Sequence, residues 1–162
     1  MDCKPISALR RPRVTGDGFT TTAEAATVSS DIDCETLRDK AIAVAARAYA
    51  PYSGFPVGAA ALVDDGRIVA GCNVENASYG LALCAECAVV CALHSSGGGR
   101  LVALVCVVGA GRLLMPCGRC RQLLIEHGGA ELLIDAPDGP RTLGDLLPDA
   151  FGPDDVFGRR DT

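Results

Sequence analysis

Four cysteines in two identical short spacings set the tightest limit on this chain. Cys84-Ala85-Glu86-Cys87 and Cys117-Gly118-Arg119-Cys120 are separated by 29 residues, and Pro116 immediately precedes the second pair. Two C-x2-C pairs read in three ways. All four sulfurs can close around a structural zinc ion. Cys117 and Cys120 can form a redox pair in which a helix N-terminus acidifies one thiol. Or Cys84, Cys117 and Cys120 can hold zinc while the fourth tetrahedral position stays open to water, the condition for a catalytic zinc.

Glu86 favours the third reading. A structural site has no use for a carboxylate two residues after a ligand, whereas hydrolysis at zinc needs a base to take the proton of water. Placing the thiols at helix starts suits the charge as well. Three thiolates around a divalent cation leave a net negative charge, which the free N–H groups of a helix N-terminus offset. Arg119 and Arg121 can add hydrogen bonds to sulfur.

Composition bears on where such thiols reside. The chain has nine cysteines in 162 residues, an odd number that cannot be fully paired. The charged stretch KPISALRRPR is followed by polar residues and not by an apolar segment, so no signal peptide is expected. No run reaches the ~18 apolar residues of a membrane span. The expectation is a cytoplasmic protein. A net charge of -5 and a pI near 4.9 speak against unspecific binding to nucleic acid or an anionic membrane.

The length allows one domain. Residues 1–30 are rich in Thr, Ser, Ala and Gly without apolar periodicity and read as a flexible leader. Residues 31–162 are the remaining single domain. Asp33 is a candidate N-cap for a helix over CETLRDKAIAVAARAYA, which stops at Ala50-Pro51. VGAAALV and RIVAGCNV, joined by Asp64-Asp65-Gly66, read as a hairpin. CAECAVVCALHSS and GRCRQLLIEHGG read as helices with glycine stops, LVALVCVVG and ELLIDAP as strands, and TLGDLLPDAF as a short helix or turn. The order α, β, β, α, β, α, β predicts an α/β fold: a mixed sheet flanked by helices in α-β-α layers.

The combination of C-A-E with P-C-x-x-C is the signature of zinc deaminases acting on nucleosides and nucleobases, in its three-cysteine variant. PYSGFPVGAA, GCNVENASYG, CAE, MPCGRCRQLL and LLPDAF stand in an order and spacing in which the sequence resembles the small cytidine deaminases, over roughly residues 34–155. The resemblance implies a cytidine deaminase-like catalytic domain. It implies one Zn2+ per subunit on Cys84, Cys117 and Cys120, with Glu86 as the catalytic proton shuttle. Asn73 and Glu75 would bind the ribose 3'-hydroxyl, Phe55 would wall the pyrimidine, and the Ala85 backbone would meet its edge. The family forms homotetramers with shared active sites, which implies that Tyr79 and Phe151 reach a neighbour's pocket. The departure is Cys87, which stands where many relatives have Arg beside the zinc-bound sulfurs. Arg119 is therefore expected to carry more of the compensation.

The implied reaction is hydrolytic deamination of cytidine and deoxycytidine by a zinc-activated water, in pyrimidine salvage. The substrate is a small nucleoside, with no nucleic-acid or membrane partner. The competing readings are a blasticidin S-type aminonucleoside deaminase and a non-enzymatic four-cysteine zinc module. Cys72, Cys91 and Cys106 are expected to pack as small hydrophobes. His94 and His127, each near a helix end, carry no assigned role.

Overall fold

The computed structural model describes residues 33–157. The leader expected over residues 1–30 lies outside them. Helix α1 (Cys34–Ala45) opens on Asp33, whose carboxylate accepts from the N–H groups of Glu35 and Thr36, the N-cap the sequence implies. Strands β1 (Val57–Val63) and β2 (Ile68–Cys72) form the antiparallel hairpin. Helix α2 (Ala85–Ser95), strand β3 (Leu101–Val108) and the two-residue strand β4 (Arg112–Leu113) follow. Helix α3 (Gly118–Gly128), two-residue strands β5 (Leu133–Ile134) and β6 (Arg141–Thr142), and short helices α4 (Leu143–Leu146) and α5 (Pro153–Phe157) complete the order.

The sheet runs β2-β1-β3-β5-β6, with β4 paired to the end of β3. Only β3 and β5 are parallel, so the sheet is mixed as expected. Side chains alternate across it. Ala60, Val105 and Val107 face α1, where Leu37, Ala41 and Ala45 are buried. Ala59, Ala61, Leu104 and Cys106 face the other way, into the larger cluster with Val89 and Leu93 of α2, Leu124 of α3 and Leu143 of α4. This is the α-β-α layering.

The small residues of β1 and β2 let the helices approach. A Cβ at Gly58 would stand 2.0 Å from the Ala41 carbonyl oxygen, and one at Gly71 would stand 2.4 Å from the Ala88 Cβ. No side chain fits at either place. Gly71 therefore sets how closely α2, and with it Glu86, lies on the sheet. Arg67 closes the other end of α2 by donating to the carbonyls of Ser96 and Gly98 at 2.8 and 2.6 Å, a cation at a helix C-terminus.

Two elements are shorter than the sequence suggested. The first helix ends at Ala45 and not at Ala50. Its last turn tightens, and Tyr49 becomes extended and exchanges backbone bonds with Asn73 and Glu75. The segment before Pro51 thus serves the sheet edge, in keeping with the bias of pre-proline residues away from the helix. ELLIDAP contributes only Leu133 and Ile134 as strand. Asp135 still donates its N–H to the Leu104 carbonyl at 3.0 Å while its side chain pairs with Arg38.

Candidate active site

Cys84 is the N-cap of α2, and Cys117 is the N-cap of α3. Cys120 lies in the first turn of α3 and is fully buried. The two helix starts meet, and the ligand atoms of Cys84, Cys117 and Cys120 all lie within 4.8 Å of one another. Tetrahedral zinc with Zn–S bonds of ~2.3 Å separates its sulfurs by ~3.8 Å. The cluster therefore fits one zinc after small side-chain rotations, and the all-thiol donor set suits a soft-binding divalent cation. Among the described residues it is the only such group of three or more. Cys87 stands outside it, which removes the four-cysteine reading.

The thiols differ in how readily they ionise. Burial pushes Cys84 above the ordinary thiol range and Cys120 further still. Burial acts the same way on Cys117, but the backbone N–H and thiol of Cys120 and the thiol of Cys84 donate to its sulfur, and together they hold it below that range.

Glu86 sits in the first turn of α2 and is only 5% exposed. Its charge acts on all three thiols and on the fully buried Cys106. A carboxylate in so apolar a place is costly unless it is hydrogen-bonded.

On the outer side, the loop before β1 is braced by two residues of the β2 end. Asn73 accepts from the Val57 N–H at 2.8 Å and donates to the Phe55 carbonyl at 3.0 Å. Glu75 accepts from the N–H groups of Tyr52 and Ser53 at 3.0 and 3.2 Å and from the Ser53 hydroxyl. Chiefly because of that hydroxyl, the Glu75 carboxyl lies below the ordinary carboxylate range. A cleft of about 340 Å³ opens beside them, lined by Tyr52, Ser53, Glu75, Asn76, Tyr79 and Ala82. Phe55 is half exposed, and Tyr79 and Phe151 are exposed at 81% and 57%. Ala85 is buried at the first position of α2.

The arginines behave differently from one another. Arg119 is exposed and donates to the Ala82 carbonyl at 3.4 Å. Arg121 donates to the carbonyls of Pro116 and Leu146 at 2.8 and 3.0 Å and so locks the second cysteine loop to α4. Cys91, expected in the core, is exposed on α2, and Cys72 is only partly buried. Sequence reasoning missed two contacts, that of Ser53 with Glu75 and that of His94 with His127. Ser53 lay inside a quoted motif. His94 and His127 meet ring to ring, Nε2 to Nδ1 at 3.2 Å, and nothing in their spacing announces it.

Three thiols gathered for a tetrahedral cation, with a buried carboxylate in the first turn of the helix that Cys84 caps, define a zinc-dependent hydrolytic enzyme. The cytidine and deoxycytidylate deaminase zinc-binding region matches residues 32–135. A cytidine deaminase of Mycobacterium tuberculosis H37Rv is 74% identical over 126 residues, 78% of this chain and 95% of that protein. One from Halalkalibacterium halodurans is 38% identical over 130 residues, 77% and 98% of the two chains. The crystal structure of the Mycobacterium tuberculosis cytidine deaminase superposes with a TM-score of 0.74 over 75% of this chain and 99% of that one, at 74% identity. That of the Mycobacterium leprae cytidine deaminase gives 0.72 over 74% and 100%, at 61% identity. The chain belongs to the cytidine deaminase family.

Proposed function

We propose that the protein converts cytidine and deoxycytidine, with water, to uridine and deoxyuridine plus ammonia, as a step of pyrimidine salvage. The observation that carries this reading is the convergence of three cysteines, not four, beside the buried Glu86. Zinc held by Cys84, Cys117 and Cys120 would acidify a water to a pKa near ~7 and so provide a nucleophile at neutral pH. Glu86 carries one proton of the attacking water to the pyrimidine N3 as the oxygen bonds to C4, then carries the proton of the new C4 hydroxyl to the amino group, which leaves as ammonia as the C4–N bond breaks and the C4 carbonyl forms. The same carboxylate is reset at the end of the cycle. Arg119, at the first turn of α3, supports the charge balance of the thiolates from outside.

The substrate assignments rest on family motifs and on position. Glu75 and Asn73 offer acceptors and a donor to a ribose 3'-hydroxyl at the cleft, and an acidic group there suits a nucleoside that carries no phosphate. Phe55 offers an aromatic wall to the pyrimidine, and the Ala85 N–H, at a helix start, is available to its edge. The exposure of Tyr79 and Phe151 supports a homotetramer in which these rings enter a neighbour's site. Among the described residues no helix is long and apolar enough to cross a membrane. Among the described residues no two cysteines are joined by a disulfide, in keeping with the cytoplasmic setting proposed here.

The test mixes purified protein with cytidine and follows the fall in ultraviolet absorbance, with zinc content measured on the same sample. Turnover with one zinc per chain supports the reading. Zinc-loaded protein that leaves cytidine unchanged overturns it.

A further inference from the structure

We propose that His94 and His127 form a second metal site, a two-imidazole chelate for a divalent transition-metal ion, separate from the three-thiol cluster. The site does not depend on the deaminase reading above.

The chain has two histidines, and the fold brings them together. His94 stands ten residues after Cys84, and His127 stands ten residues after Cys117. Each cysteine caps the start of its helix, and each histidine lies in the last turn of the same helix. With the starts of α2 and α3 in contact, equal offsets let the two ends meet as well. A rise of 1.5 Å per residue puts the histidines about 15 Å from the thiols, too far for one ion to serve both places.

The geometry is that of a chelate. His94 Nε2 and His127 Nδ1 are 3.2 Å apart, and the rings meet edge to face with centroids 4.9 Å apart. Two nitrogens bound to one ion at ~2.0–2.1 Å, at angles between square-planar and tetrahedral, are about 2.9–3.4 Å apart. The separation in the free pair already lies in that interval. As neutral rings, one of the facing nitrogens carries a hydrogen and donates it to the other. For both to bind metal, the donating ring takes its other tautomer, and its proton moves through solvent to the far nitrogen of the same ring. His94 is exposed and His127 half-buried, so solvent is at hand for that shift and for the remaining positions on the ion.

The surroundings suit a soft to borderline cation. Burial first, and then His94, hold His127 below its ordinary value, so its imidazole is neutral at pH 7, the form that binds metal. Imidazole donors favour zinc, copper and nickel over magnesium and calcium. Arg67 is occupied with the carbonyls of Ser96 and Gly98, and Arg100 with that of Gly128. The negative charge of Glu126 acts on His127. The imidazole nitrogens are thus what this end of the helix pair offers a metal, and an ion held there clips α2 to α3 at the end away from the thiol cluster.

The experiment titrates the full zinc-loaded chain with Ni2+ at pH 7.5 by calorimetry, with zinc measured before and after, beside His94→Gln, His127→Gln and the double variant. The parent is expected to take up one Ni2+ per chain while keeping its zinc. Because the second nitrogen binds intramolecularly, its Kd is expected at least tenfold below that of either single variant. The double variant is expected to resemble the single ones, since a lone imidazole gains nothing from chelation. Cys91, exposed one turn before His94, supplies a control: Cys91→Ser is expected to keep the parent's affinity within about threefold. Equal affinity in the parent and the single variants, nickel that enters only as zinc leaves, or a Cys91→Ser variant as weak as His94→Gln overturns the proposal.

A second measurement needs no variant. In protein labelled at histidine, two sets of ring signals are expected, and paramagnetic Ni2+ is expected to broaden both together as the first equivalent is added. Broadening of one set alone, or of neither, overturns the proposal. Failure of the parent chain on cytidine would overturn the deaminase reading and leave this result unchanged.

Discussion

Arg38 of α1 grips Asp135, just past β5, with two parallel bonds: Nε to Oδ2 at 2.6 Å and Nη2 to Oδ1 at 3.0 Å. The Asp135 side chain is 3% exposed and that of Arg38 is 34% exposed. The pair ties the helix on one face of the sheet to the end of β5.

Breaking a buried, forked pair leaves one charge without its partner, and the partial exposure of Arg38 moderates the loss. Asp135→Ala is expected to cost about 2–4 kcal/mol of stability, measured by urea unfolding. Its turnover below the unfolding range is expected to stay near that of the parent, because neither residue reaches the cleft. A variant as stable as the parent would show that the pair is dispensable.

Glu86→Gln keeps the shape of the side chain and removes its ability to carry a proton. General acid–base catalysis is worth about 10^2 to 10^4-fold, so kcat is expected to fall by at least that range. Zinc content and thermal midpoint should remain those of the parent. Substantial turnover by this variant contradicts the role given to Glu86.

Cys87 lies outside the thiol group. Cys87→Ser is therefore expected to retain one zinc per chain and kcat within about twofold, since it touches none of the features that give large mutational effects. Cys84→Ser, Cys117→Ser and Cys120→Ser are each expected to lose most of their metal. Zinc analysis after dialysis distinguishes the four variants, and loss of metal from Cys87→Ser contradicts the three-ligand site.

Zinc takes its ligands as thiolates, so binding releases protons. Cys84 and Cys120 lie above the ordinary thiol range and Cys117 below it. Chelator competition between pH 6 and 7 is expected to show affinity rising about a hundredfold to a thousandfold per pH unit, from about two to three protons released per ion. A tenfold rise would mean that two of the thiols are already ionised before the metal arrives.

Burial, and then the neighbouring His94, hold His127 below its ordinary value of 6.5. The unfolded chain therefore binds this proton more readily than the folded one. Stability rises with pH through the window between the two values and is lost as pH falls from ~6.5 through the folded value. Comparing thermal midpoints at pH 7.5 and 5.5, the parent is expected to lose more than His127→Gln. The difference between the two proteins cancels the other titrations, and equal losses contradict the assignment.

Much of the site was legible before any fold was known. Asp33, Cys84 and Cys117 are N-caps where helix-start reasoning places them. The β1/β2 hairpin and the burial of β3 follow from apolar pattern and turn residues. The end of α1 was not legible. Ala46 to Ala50 suit a helix by propensity, and Tyr49 leaves it only because Asn73 and Glu75 offer backbone partners from a strand distant in sequence. The His94–His127 contact needs two helices brought side by side.

The decisive case is the pair of cysteine motifs. In both, the first cysteine is an N-cap and the second lies three residues on, so local geometry is the same for Cys84 with Cys87 and for Cys117 with Cys120. From its own residues the chain determines two helix starts bearing thiols, and a carboxylate in one of them. Only tertiary structure decides that Cys120 turns inward while Cys87 is left out, because the two helices present different faces to the sheet and to each other.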